Sequence, residues 1–213
     1  MTYRSILILI TLILLCVTAC GAAPMEAVEG SYSPQEGDLI FQTSKSQQGP
    51  LIQIATQSVY SHVGVVYIKN GAPWVFEASS KVKLTPLKDW ISRGEGGWYT
   101  VKRLRDADKL LTPEARISLK SAGQKFVGRP YDVLFQWSDN KIYCSELVWK
   151  LYQEGLGLEL APLRTMGDYS FDDPRVAGLV EKRWGHRFSA DELVVAPSDL
   201  DTSSFLETVY SNY

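Results

Sequence analysis

The sequence predicts an α+β domain in which an antiparallel sheet packs against helices. Short strand-like runs are concentrated between Asp38 and Leu104, and the two strongest helical patterns come after Thr112. Asn70-Gly71 joins two of the runs as a two-residue hairpin. Strands and helices are therefore segregated rather than alternating, which argues against a parallel βαβ sheet.

The chain opens on Met1-Thr-Tyr-Arg4, and Ser5 to Ala19 is an apolar stretch preceded by a positive charge and ended by small residues, the pattern of a secretory signal. A spanning helix needs about 20 apolar residues, so removal is expected rather than a permanent anchor. Val17-Thr18-Ala19-Cys20 resembles a bacterial lipobox, so residues 1–19 read as a lipoprotein signal peptide and Cys20 as the lipidation site. Ordinary cleavage after Ala19 is the alternative. Residues 20–36 are rich in Ala, Gly, Pro, Ser and Glu without apolar periodicity, which suits a lipidated flexible tether. The expected location is the bacterial cell envelope, with Gly21 after the cysteine favouring an outer membrane and the periplasmic side; a soluble secreted or periplasmic protein is the alternative.

One domain is expected over 37–213, since no repeat or second linker interrupts it. Strands are predicted at Asp38 to Gln42, His62 to Ile68, Trp74 to Ser79 and Trp98 to Leu104, with a helix near Leu51 to Gln57. Thr112-Pro113-Glu114 starts a helix with Thr as N-cap and Pro at the first helical position, expected to run to about Phe126 and stop at Gly128. A second helix covers Tyr143 to about Glu154 and stops at Gly155 or Gly157.

The hairpin register follows from its turn. A type I′ turn pairs Lys69 with Ala72, so Ile68 faces Pro73, Gly64 faces Glu77 and His62 faces Ser79. Pro73 then falls on a non-hydrogen-bonded pair, where a missing N–H costs nothing. His62, Gly64, Glu77 and Ser79 share one face, with His62 and Glu77 diagonal and within side-chain reach. Val63, Val65, Tyr67, Trp74, Phe76 and Ala78 form the other, apolar face.

Cysteine arithmetic singles out one thiol. Cys16 leaves with the leader and Cys20 takes the lipid, so Cys144 remains without a disulfide partner. It lies in the first turn of its helix, where unpaired N–H groups and the macrodipole favour a thiolate. A thiolate, an imidazole, a carboxylate and the Cys144 backbone N–H are the parts of acyl transfer through a thioester.

Gly128-Arg-Pro-Tyr131-Asp and Tyr143-Cys144-Ser145-Glu146-Leu147-Val148 resemble the Gly-x-Pro-Tyr and Cys-Ser-x-Leu-Val segments of NlpC-type papain-like amidases. Here the histidine strand precedes the cysteine helix, as in the circularly permuted branch. Gly37-Asp-Leu-Ile-Phe41, Tyr60-Ser-His-Val-Gly64 and Thr85-Pro-Leu-Lys-Asp-Trp90 are similar to YiiX-like proteins in particular. The resemblance implies a circularly permuted papain-like fold and a cysteine hydrolase with Cys144 as nucleophile, His62 as base and Glu77 orienting His62. It implies substrate-binding positions at Tyr131 and at Tyr143, the latter standing where unpermuted relatives usually carry an Asp that holds the substrate amine. Cell-wall stem-peptide specificity therefore does not carry over.

The expected reaction is cleavage of an amide in a peptide or an N-acylated amine. One alternative is lipid acyl transfer or thioester cleavage with the same three residues. The other is a non-enzymatic lipoprotein that binds the cell wall, or zinc through Cys144, His62 and Glu77. The expected partners are an amide- or acyl-bearing small substrate (peptide, cell-wall fragment or lipid) and, through the anchor, a membrane. A net charge of −2 with no long basic run argues against nucleic acid. Two histidines and three cysteines argue against a multi-histidine metal site, the want of a Gly-rich phosphate loop argues against a nucleotide, and no cofactor is expected. Asp38 is read as fixing a turn, His186 as a loop or surface residue, and Trp137, Trp149 and Trp184 as core or cleft wall.

Overall fold

A computed structural model describes residues 32–185 and 188–213. The leader, Cys20, most of the tether and His186 lie outside the described residues. Among the described residues the elements run β1 (Leu39–Gln42), α1 (Gly49–Thr56), β2 (His62–Lys69), β3 (Ala72–Ala78), β4 (Val82–Pro86), α2 (Leu87–Ser92) and β5 (Thr100–Leu104). They continue with α3 (Ala107–Leu110), α4 (Pro113–Gln124), α5 (Cys144–Leu156), β6 (Arg164–Thr165), α6 (Pro174–Arg183), β7 (Leu193–Val194), α7 (Pro197–Asp201) and β8 (Leu206–Ser211).

Six strands form one antiparallel sheet in the order β4-β3-β2-β1-β5-β8. The β2–β3 hairpin takes the register its Asn-Gly turn dictates, with Lys69 opposite Ala72, Ile68 opposite Pro73 and Val65 opposite Phe76. Asn70 and Gly71 both sit at positive φ, 53° and 76°, as a type I′ turn requires. Val63, Val65, Phe76 and Ala78 face a core shared with Leu119 of α4 and Leu147, Val148 and Leu151 of α5. The opposite face is covered as well: Ile40, Val66, Val75 and Val101 pack with Trp90 of α2. His62 and Glu77 thus belong to a sheet buried on both sides, where a polar group is stable only if it is hydrogen-bonded.

Thr112 Oγ1 caps α4 by accepting from Ala115 N at 3.2 Å. α5 ends later than the first of its two glycines. Gly157, at φ 69°, is the left-handed C-cap. Gly155 lies inside the helix because a Cβ there would come within 2.8 Å of the Leu119 backbone, so the α4–α5 contact needs its hydrogen side chain. Strands β4 and β8 and helices α2, α6 and α7 were not expected. All are short, and several are set off by proline rather than by a long apolar period. Upstream of Gly37, Tyr32 already packs against Tyr99 and Tyr210. No described helix is long and apolar enough to cross a membrane.

Candidate active site

The β2–β3 register puts His62 and Glu77 on one face, and the side chains meet: His62 Nε2 lies 2.7 Å from Glu77 Oε2. Two further groups hold the carboxylate. Thr85 Oγ1 donates to Glu77 Oε1 at 2.5 Å from β4, and the Arg93 guanidinium donates to the same oxygen from the end of α2. Trp90 stacks on the imidazole, with ring centroids 5.7 Å apart. The ring is therefore fixed in plane and in tautomer, and its Nδ1 is the nitrogen left to face the thiol.

Cys144 supplies that thiol. It is the first residue of α5, with a backbone N–H outside the i−4 ladder of the helix. Glu146 accepts from the backbone N–H of Tyr143 at 3.3 Å and of Ser138 at 3.1 Å, fixing the start of the helix to the preceding loop. Lys150 ties down the same carboxylate at 2.8 Å one turn along. The Cys144 sulfur sits beside the His62 side chain and the backbone N–H groups of Val63 and Ser145, each of which favours its thiolate.

The electrostatics favour an ion pair. Burial alone would raise the Cys144 pKa, but the His62 hydrogen bond and charge, with the Val63 and Ser145 amides, lower it below the ordinary thiol value. Burial alone would lower that of His62, yet its bonds to Cys144 and Glu77 raise it to about 9. Burial pushes Glu77 upward, and His62 foremost, then Thr85 and Arg93, bring it down to about 2. The shifts favour a thiolate–imidazolium pair with the Glu77 carboxylate beside it.

Tyr131 lines both cavities, and its phenol lies beside Cys144. Burial first, and the Cys144 charge next, hold its phenol well above pKa 10, so its O–H remains a donor. Tyr143 is buried, and its hydroxyl accepts from Val195 N at 3.2 Å. Its ring forms pocket wall beside Phe135 rather than presenting a polar group to a substrate amine.

The two cavities meet at this centre. One is lined by Cys144 and by apolar side chains including Leu51 and Ile52 of α1, Phe135, Val176 and Val180 of α6, and Val195. Cys144 itself is only 2% exposed, so the thiol is reached through this pocket. The other is a polar cleft lined by His62, Gln42, Lys45, Ser79 and Arg93.

Sequence reasoning found Cys144, His62 and Glu77, and the structure brings the three together. Two other buried carboxylates are engaged elsewhere: Asp38 accepts from Arg103 Nε at 2.6 Å and from Gln35 N at 2.9 Å, and Asp132 accepts from Leu134 N and Gln136 N. Trp149 is buried with its N–H on Ala161 O, Trp137 stacks edge-on against it, and Trp184 lines the apolar pocket. Thr85, Arg93 and Trp90 were missed as partners of the His62–Glu77 pair. Thr85 had a signal, since β4 pairs Lys83 with Glu77 and puts Thr85 diagonal to it on the same face.

The family model described as "permuted papain-like amidase enzyme, YaeF/YiiX, C92 family" matches residues 33–210. A curated relative, the uncharacterized protein YiiX of Escherichia coli strain K12, is 40% identical over 179 residues, covering 84% of this chain and 87% of the relative. A crystal structure described as metalloprotein YiiX from Escherichia coli O157:H7 superposes with a TM-score of 0.82 at 40% identity, covering 85% of this chain and 99% of that one. Among the described residues of the present chain, no three His, Cys, Asp or Glu side chains form a group able to hold a metal ion. The donor set of the zinc reading is already engaged internally, because both Glu77 oxygens are taken by His62, Thr85 and Arg93.

Proposed function

The chain belongs to the YaeF/YiiX permuted papain-like amidases and is a hydrolase of that class; from this premise we propose that it cleaves an amide through a thioester on Cys144, with His62 as the proton carrier and Glu77 as its positioning residue. The observation that carries the reading is the unbroken chain Cys144–His62–Glu77 at the meeting of two cavities.

The steps follow from the contacts. The Cys144 thiolate attacks the amide carbon, and the carbonyl oxygen takes the negative charge, within reach of the Cys144 N–H and the Tyr131 O–H. The imidazolium gives its proton to the leaving nitrogen, the C–N bond breaks, and the amine departs from an acyl-Cys144. Water then loses a proton to His62 and attacks the thioester, releasing the acid and restoring the thiolate.

Substrate polarity follows from the same geometry. His62 must protonate the leaving nitrogen, so the amine half lies on the His62 side, in the polar cleft. The acyl half then lies in the pocket lined by Cys144, whose walls are apolar, which favours an N-acylated amine with an apolar acyl group.

Incubation of the protein with N-octanoyl amides, read by amine release and by intact mass of the acyl-enzyme, tests this. Release by the wild type and its loss in Cys144→Ala are expected. Equal activity in that variant would overturn the assignment. We further place the enzyme at the envelope through a lipid on Cys20, with labelled palmitate expected on the wild type and absent from Cys20→Ser.

A further inference from the structure

The polar cleft beside His62 carries more unmet hydrogen-bonding capacity than a structural groove needs. Two of its lining residues hold donor atoms without a hydrogen-bond partner: Arg93 Nε and Ser79 Oγ. A buried polar atom left unpaired is costly, so each calls for a partner. Charge points the same way. The lining includes Lys45 and Arg93 and no Asp or Glu, while the Glu77 carboxylate behind it is neutralised by His62 and Arg93. Ser79 follows directly on β3, two residues beyond Glu77, and lines the cleft together with the guanidinium that reaches Glu77.

We propose that this cleft is a subsite for an anionic group, carboxylate or phosphate, on the amine half of the substrate, with Lys45, Arg93 and Ser79 as its donors. The inference rests on the proposed amidase reading, which puts the leaving amine on the His62 side. It goes further by giving that amine a charge: an amino acid or an amino-alkyl phosphate released from an apolar acyl group. Arg93 would then serve two carboxylates or a carboxylate and a phosphate, holding Glu77 through one terminal nitrogen and the substrate anion through its free Nε.

The test uses three probes that differ only in the amine half: N-octanoylglycine, N-octanoyl-2-aminoethyl phosphate and N-octanoylglycinamide. Each is measured twice, as a substrate and as a protectant of Cys144 against iodoacetamide. At least one anionic probe should protect at about tenfold lower concentration than the neutral amide, the size of one hydrogen bond to a charged group. The anionic arm that does so identifies carboxylate or phosphate. Lys45→Gln and Ser79→Ala, which lie outside the catalytic chain, should each erode that preference while leaving the unprotected alkylation rate and protection by the amide unchanged. Equal protection by all three probes, protection by none, or a preference that survives both substitutions overturns the subsite. Anion-selective protection without amine release would sustain the subsite and defeat the amidase reading. Amine release without selectivity would do the reverse.

Discussion

His62 spends its Nε2 on Glu77, so the proton it exchanges with Cys144 is carried on Nδ1, and both of its charge states are set by neighbours visible in the structure. Two predictions belong at this scale. The first is a pH dependence in which Cys144 alkylation rises below the ordinary thiol pKa and plateaus, while turnover is bell-shaped, with an alkaline limb near 9 where the imidazolium is lost. Both limbs describe the coupled pair rather than either residue alone. His62→Ala should remove the alkaline limb and return the thiol toward ordinary behaviour; an unchanged profile would refute the ion pair. The second concerns Glu77. Because its role is to orient, Glu77→Gln should lower kcat with little change in KM, and by less than the ~10²–10⁴-fold expected of losing the proton carrier in His62→Ala. Stability adds a second readout. The Glu77 pKa is about 2 in the fold against 4.5 ordinarily, so its contribution is complete above 4.5 and is lost as pH falls through 2. The gap in melting midpoint between wild type and Glu77→Gln should therefore narrow from pH 6 to pH 3. A gap independent of pH would mean that the carboxylate charge is not what stabilises the site.

At the scale of elements, the contact between α4 and α5 is what seats the nucleophile's helix on the sheet. Gly155 is the closest point of that contact, where a Cβ would meet the Leu119 backbone at 2.8 Å. Gly155→Val should force the helices apart and destabilise by about 1–3 kcal/mol, as overpacking does. Urea unfolding measures this, and a midpoint unmoved from wild type would show that the helices have room to spare. The same glycine marks the limit of what the sequence disclosed. A glycine late in a helical pattern reads as a stop, and only the neighbouring helix reveals that it is a point of approach. The β2–β3 hairpin was legible because Asn70-Gly71 fixes the register locally, and the register alone carried His62 to Glu77. Helix α5 was legible through its period and its glycine C-cap. Arg93 was not, since its bond to Glu77 joins residues whose proximity depends on how α2 folds back over the sheet. The apolar pocket was hidden for a similar reason. Its walls come from α1, α6 and the short β7 segment, none of which shows by local pattern that it will face Cys144.

For the whole molecule, the last strand completes the sheet that carries the site. β8 is the edge strand beyond β5, which in turn supports β1, and β1 pairs Gln42 with His62. Its end reaches back to the same region: the Tyr213 hydroxyl accepts from Thr43 N at 2.7 Å, next to Gln42, and Asn212 accepts from Tyr99 N at 2.7 Å. Leu206, 2% exposed, also leaves the core if the strand is removed. Truncation after Thr202 should thus expose the β5 edge, remove a buried Leu worth about 1.5–3 kcal/mol and loosen the segment that starts the polar cleft. Since each kcal/mol shifts the midpoint of a domain of this size by about 2–4 °C, the buried leucine alone predicts a fall of about 3–12 °C, with the lost strand pairing adding to it. The exposed edge predicts aggregation on heating. Tyr213→Phe separates the two effects, because it keeps β8 and deletes only the hydroxyl's bonds to the Thr43 N–H and Oγ1. It should cost about 0.5–1.5 kcal/mol and leave the protein soluble. A truncated protein that melts at the wild-type midpoint and stays monodisperse would show that the sheet is complete at β5, and that the C-terminal strand is an ornament to the site rather than part of its frame.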